Sequence, residues 1–228
     1  MVIEIYRVIR SHRRTLGLEI DHRGRLIVRV PLLMSEKKWQ EMIQTKENWI
    51  INKVAEIKNQ NRIESIKQVV DGETFLFLGK NYPLQIMDNL ELNLEFDIGS
   101  GLKIRREAVS QAEKLIIKWY QREALKIFRR RTNFLALKYG FSYGKIAISR
   151  AGKRWGSCTH QNDIRLNWRL IMASPTISDY VIIHELVHTR IKDHSRTFWL
   201  KVALLYPNYR EAKKWLYRNS ARLYFSFA

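Results

Sequence analysis

Apolar and polar residues alternate through the first thirty positions. "VIEIYRVIR", "TLGLEI" and "RLIVRVP" each read as strands, and "DHRGR" reads as the turn between the last two. From Ser35 the period changes. In "SEKKWQEMIQTKENWIINKVAEIKNQN", Met42, Ile43, Trp49, Ile50 and Val54 recur at helical spacing, which predicts one amphipathic helix. Strands return in "ETFLFLGKNYPLQIMDNLELNLEFDIGSGLKIR", with "GKNYP" as a hairpin turn. Residues 1–104 are thus expected to form a β-rich domain with one inserted helix.

The pattern of residues 105–228 predicts a second domain, with no Pro/Ser linker before it. "REAVSQAEKLIIKWYQREALKIFRRRTNFLALKYG" has no proline and reads as one long helix stopped by Gly140. Leu115, Ile116, Trp119, Leu125, Phe128 and Leu135 are its candidate core positions. "YGKIAISR" and "IRLNWRLI" read as strands joined by the loop "AGKRWGSCTHQND". "ASPTISDYVIIHELVHTRI" is a helix, opened by Ser174–Pro175 or by a Thr176/Asp179 capping pair, and broken by "KDH". Two more helices come after it, separated by Pro207. The fold class is therefore α+β.

Composition narrows the classes of function. Of 228 residues, 46% are hydrophobic and only 4 are proline, so the chain folds around a core. No run of about eighteen apolar residues exists to span a membrane, and the N-terminus lacks a signal-peptide pattern. Cys158 is the only cysteine, which excludes an internal disulfide and fits a cytoplasmic protein. The net charge is +19, unevenly placed. Residues 105–170 hold 16 Lys/Arg against 4 Asp/Glu, so a nucleic acid or nucleotide partner is to be weighed against a merely solvated basic surface.

Three of the six histidines fall within eleven residues: His184, His188 and His194. On a helix, residues four apart share a face, so His184 and His188 can aim two imidazoles at one point. A turn after the helix can return His194 to the same point. Zinc takes such nitrogens and keeps a position open for water. Glu185, beside the first histidine, is the candidate general base, as in the HExxH arrangement of zinc peptidases. The competing reading is a set of partly exposed helix histidines with no metal.

The flanking segments carry a resemblance. "RSHRRTLGLEI", "FLGKNYPLQI", "KRWGSC", "IRLNWRLI", "YVIIHELVHTRIKDHSRTFW" and "PNYREAKKWL", in that order, resemble the YgjP-like family of metal-dependent hydrolases, relatives of the SprT-like zinc proteins. The resemblance implies a zincin-like catalytic domain: a long backing helix, a short sheet, the HExxH helix and C-terminal helices. It also implies one Zn2+ held by His184, His188 and His194, with Glu185 as catalytic acid/base. The histidine spacing matches metzincins too, but Ile191 stands where their pattern has glycine and no Met-turn is evident downstream, so that assignment is rejected.

Residues around the centre have weaker signals. "IRLNWRLI" is the candidate edge strand for an extended peptide, with Arg165, Asn167 and Arg169 on its polar face. Arg154 could hold a carboxylate or phosphate, and Trp155 could stack on a base or be buried. Gly156 permits a tight turn. Cys158 is either a fourth zinc ligand or a small buried thiol, the commoner case. Phe198 and Trp199 suit packing. The expected function is a zinc metallopeptidase acting on a peptide or protein. The alternatives are a metal-dependent nucleotide phosphohydrolase and a nucleic-acid-binding protein with structural zinc.

Overall fold

The computed structural model describes residues 4–21, 24–61, 65–152 and 154–228. The chain divides into two compact units, Met1–Glu64 and Ser65–Ala228. In the first, β1 (Ile5–Ser11), β2 (Gly17–Ile20) and β3 (Leu26–Pro31) form a sheet. β3 lies in the centre, parallel to β1 and antiparallel to β2. The turn expected at "DHRGR" falls partly outside the described residues; its ends are tied by Arg25, which pairs with Asp21 at 2.8 Å. Two helices stand where one was expected: α1 (Glu36–Gln44) and α2 (Glu47–Asn61). The break comes at Thr45, whose hydroxyl donates to the Met42 carbonyl at 2.8 Å. That side chain competes for a backbone acceptor and suits a helix end. Leu26, Val28 and Val30 of β3 form this unit's core with Trp39, Ile43 and Ile50.

The second unit opens with β4 (Ser65–Lys67), β5 (Thr74–Phe77), β6 (Lys80–Met87), β7 (Leu94–Asp97) and β8 (Gly101–Arg105). The last four make a sheet in the order β5-β6-β8-β7. The β5–β6 turn is at Leu78–Gly79, with φ of 50° and 80°, so only the first residue of "GKNYP" lies in it and the rest belongs to β6. Two residues of positive φ match the twist of a hairpin. Leu78 is held there because its N–H and that of Gly79 donate to Ile171 and Met172 carbonyls at 2.8 and 3.0 Å.

α3 (Ala112–Tyr139) comes after a 3-10 turn at Arg106–Gln111 and ends at Gly140 in the left-handed conformation, as the sequence predicts. Its Ile116, Trp119, Phe128 and Leu135 are buried, while Leu115 and Leu125 are partly so. Each fully buried apolar side chain of this size stabilises the fold by about 1.5–3 kcal/mol. This packing explains why the domain boundary is not near residue 104. Phe77 lies 4.9 Å from Trp119, and Tyr120 donates its hydroxyl to the Leu76 carbonyl at 2.8 Å. Phe77, Leu84, Leu102 and Ile104 belong to one core with α3, so 65–104 folds as part of the larger unit.

The remaining elements are β9 (Ile146–Ser149), β10 (Gly156–Cys158), β11 (Ile164–Asn167), α4 (Pro175–His188), α5 (Arg196–Leu205), α6 (Tyr209–Asn219) and β12 (Phe225–Phe227). β12 pairs with β4 in parallel. Ser174 occupies the N-cap position of α4, though its hydroxyl pairs with that of Thr176 and caps no backbone N–H, and Pro175 is in the first turn. Asp179 forms no capping box; it pairs with Arg131 of α3 through two bonds of 2.5 and 2.6 Å. The architecture is α+β, and no helix among the described residues is long and apolar enough to cross a membrane.

Candidate metal centre

α4 is buried along nearly its whole length, which fixes the positions of everything it presents. His184 and His188 stand one turn apart on it, as their spacing requires. His194 comes from the short link between α4 and α5. Its Nε2 lies 3.1 Å from Nε2 of His188 and 3.1 Å from Nε2 of His184. Among the described residues, these three are the set of ligand atoms that could hold a metal ion together.

Protonation suits that role. The Ile191 carbonyl can only accept, so His188 donates from Nδ1 across 2.9 Å and keeps a lone pair on Nε2. Burial, then the neighbouring His188, His194 and Lys213, pushes His184 down to about 3, so it is neutral at physiological pH. Burial pushes His188 down as well. Three imidazoles with converging nitrogens are a chemically apt donor set for zinc.

Phe198 and Trp199 pack, as expected, but what they pack on is the ligand set. Phe198 is fully buried, stacks on His188 at 4.4 Å and meets His184 and His194 edge-on at 4.8 Å each. Trp199 stacks on His194 at 5.7 Å. One aromatic wall therefore orients all three rings.

Glu185 lies against Gly156 of β10. It is 4% exposed, no described residue hydrogen-bonds its carboxyl, and burial pushes it up to about 8 in the metal-free protein. Gly156 is what admits it. Gly156 is in an extended strand and not in the tight turn expected. A Cβ there would sit 2.7 Å from Glu185 Cγ and closer still to Oε1. Only the missing side chain lets the carboxyl lie against the strand. No local signal reveals this, because the partners are far apart in sequence. Gly156→Ala is accordingly expected to displace Glu185 while leaving the three histidines in place; a crystal structure of the variant checks it, and an unmoved Glu185 would show that it does not need this seat.

The expected edge strand is misplaced. β11 lies in the middle of its sheet, between β10 (antiparallel) and β9 (parallel). It also ends sooner than "IRLNWRLI" suggests, giving way to a 3-10 turn at Trp168–Met172. Asn167 causes this. Its Oδ1 accepts from Arg169 N, and its Nδ2 donates to the Ala151 and Arg154 carbonyls at 2.8 and 3.3 Å. Asn167 is fully buried and supports the loop; it is not part of a substrate face. Arg169 sits over the Trp168 and Tyr224 rings, at 4.5 Å each. Arg165 is exposed on the central strand and does not line the pocket at the histidines.

The free edge beside α4 is β10. The Trp155 carbonyl accepts from Asn167 N–H, and Thr159 N–H donates to the Asp163 carbonyl, at 2.8 and 2.9 Å. Pairing alternates in an antiparallel ladder. Ser157 therefore points its backbone groups at β11, and Gly156 and Cys158 point theirs outward. A pocket of about 570 Å³ lies along this edge, lined by the three histidines, Glu185, Arg154, Trp155, Tyr180 and Lys213 among others. Arg154 and Trp155 thus line the same pocket as the histidines. Cys158 lines the pocket, but its sulfur is not among the converging ligand atoms. Burial pushes its thiol up, which suits an inert half-buried thiol. Lys192 pins the β10–β11 turn by donating to the Thr159 carbonyl and to Asn162 Oδ1, at 3.0 and 2.6 Å.

No curated protein and no solved structure gives a significant match to the chain. A family model does: the one described as "YgjP-like, metallopeptidase domain" matches residues 14–219, a span that takes in the histidines, Glu185 and the β10 edge. The chain belongs to the YgjP-like family.

Proposed function

We propose that this protein is a zinc-dependent hydrolase that cleaves amide bonds in peptide or protein substrates in the cytoplasm. The observation that carries this reading is the convergence of three imidazoles beside a buried, unpartnered Glu185, all opening on one pocket. His184, His188 and His194 would hold the zinc. The chemistry supplied there by bound zinc would be Lewis acidity toward a carbonyl oxygen and toward water. Glu185 takes the proton on its carboxylate and returns it to the leaving amine. The outward backbone groups of Gly156 and Cys158 align an extended substrate by main-chain pairing.

A second reading has its own support. Arg154 and Lys213 line the same pocket, with Trp155 and Tyr217 beside them, and Glu185 is the only carboxylate among its lining residues. Cations and rings together suit a nucleoside phosphate. A screen of zinc-loaded, untagged protein against a peptide library and nucleoside triphosphates decides between the two. New amine ends are the expected product. Phosphate release without amide cleavage would move the assignment to the second reading. Neither product from zinc-loaded protein would overturn both.

A further inference from the structure

We infer that the outer face of α3 is a binding surface for the phosphate backbone of nucleic acid. Four cations, Arg122, Lys126, Arg129 and Arg130, are exposed on this helix. At 100° per residue they fall, with Asn133, within an arc of about 100°, along about 16 Å of the axis. They line one shallow concavity of about 640 Å³, together with Leu125, Asn133 and Tyr143 and with no carboxylate. Arg122 makes a single exposed contact with Glu123 at 3.2 Å. Lys126, Arg129 and Arg130 form no ion pair with any described residue. The surface shares no lining residue with the pocket at the histidines.

Which polyanion fits is set by what the face lacks. A protein interface needs a desolvated apolar centre with aromatic anchors. Here Leu125 and Tyr143 are both partly covered, and every exposed lining side chain is cationic or amide. Three of the four cations are arginines, whose planar forks match phosphate oxygens. Arg122, Lys126 and the adjacent Arg129 and Arg130 put positive charge on three successive turns, which suits an anion that repeats along a chain. Such contacts are to the backbone and carry little sequence preference.

Not every cation of the helix belongs to this face. The run Arg129–Arg131 is the densest basic stretch in the sequence, but Arg131 lies on another side of the helix, engaged with Asp179. Reversing it would break a structural pair and confuse the result. The test is therefore Arg129→Glu/Arg130→Glu in the full chain, with Lys37→Glu/Lys38→Glu as a variant of equal charge change elsewhere. Fluorescence anisotropy would use a labelled 20-nucleotide single strand, a 20-base-pair duplex and poly-glutamate.

Wild type is expected to bind both nucleic acids. Duplex affinity should fall about a hundredfold between 50 and 200 mM salt, as four phosphate contacts imply. Arg129→Glu/Arg130→Glu should weaken binding at least tenfold, with zinc content and melting temperature unchanged. The gentler Arg129→Gln/Arg130→Gln should reduce the salt slope by about two. Lys37→Glu/Lys38→Glu should bind as wild type. No binding at low salt, or equal loss in both reversal variants, overturns the inference. Poly-glutamate binding as tight as DNA, lost in the same variant, would make the face a site for acidic protein instead.

Discussion

Glu185→Gln is expected to keep its zinc and its fold and to lose hydrolysis by about two to four orders of magnitude. Glutamine fills the same space against Gly156, so the contact that positions the side chain persists. The three ligand nitrogens are untouched. What disappears is a group that can take a proton. The metal-free protein provides an independent check. Its folded state holds the Glu185 proton up to about pH 8, while an unfolded chain releases it near pH 4.5. Between those values unfolding releases a proton, so rising pH destabilises folded wild type through this group. The amide has no such proton. Metal-free Glu185→Gln should therefore melt above metal-free wild type, by a margin that widens from pH 5 to pH 8. Full hydrolytic rate in the variant would mean that another residue is the base, or that a contaminant supplied the activity.

His188→Ala should abolish zinc binding and activity together. His188 packs against both other ligands and stacks on Phe198, and its Nδ1–H is anchored to backbone at the Ile191 carbonyl. Removing it deletes a donor and also leaves that carbonyl unpaired. Zinc that binds only the folded state stabilises it by RT ln(1 + [Zn]/Kd). Chelation of wild type should thus lower its melting temperature, and the same chelator should leave His188→Ala unmoved. Elemental analysis and paired melts measure both. A variant that still carries one zinc per chain would remove His188 from the ligand set.

The metal-site half of this picture could be read along the chain because it is local. His184 and His188 are tied by the helical period, and His194 comes within one short link. The parts that escaped are those decided by contacts between distant segments. "GSC" is too short to show a period, yet its pairing with β11 makes it the free edge. Gly156 carries no sign that Glu185 will lie against it. "IRLNWRLI" alternates like a long strand, but the Asn167 side chain diverts the backbone after four residues. Leu78 gives no hint of a left-handed turn, since that conformation is held by the Ile171 carbonyl. The boundary near residue 104 tracked a change in composition, whereas the core runs through it and the units separate at Glu64 and Ser65.

The length of β10 has a consequence for self-association. An unpaired strand edge accepts any extended chain, including another copy of the same protein, and long flat edges seed aggregates. β10 is three residues long, and only Gly156 and Cys158 turn their backbone groups outward. That is too short a template for sheet growth. The same brevity limits how tightly main-chain pairing can hold a substrate, so discrimination has to come from side chains reaching the pocket. An insertion that lengthened β10 would trade that selectivity for stickiness and should show first as concentration-dependent light scattering.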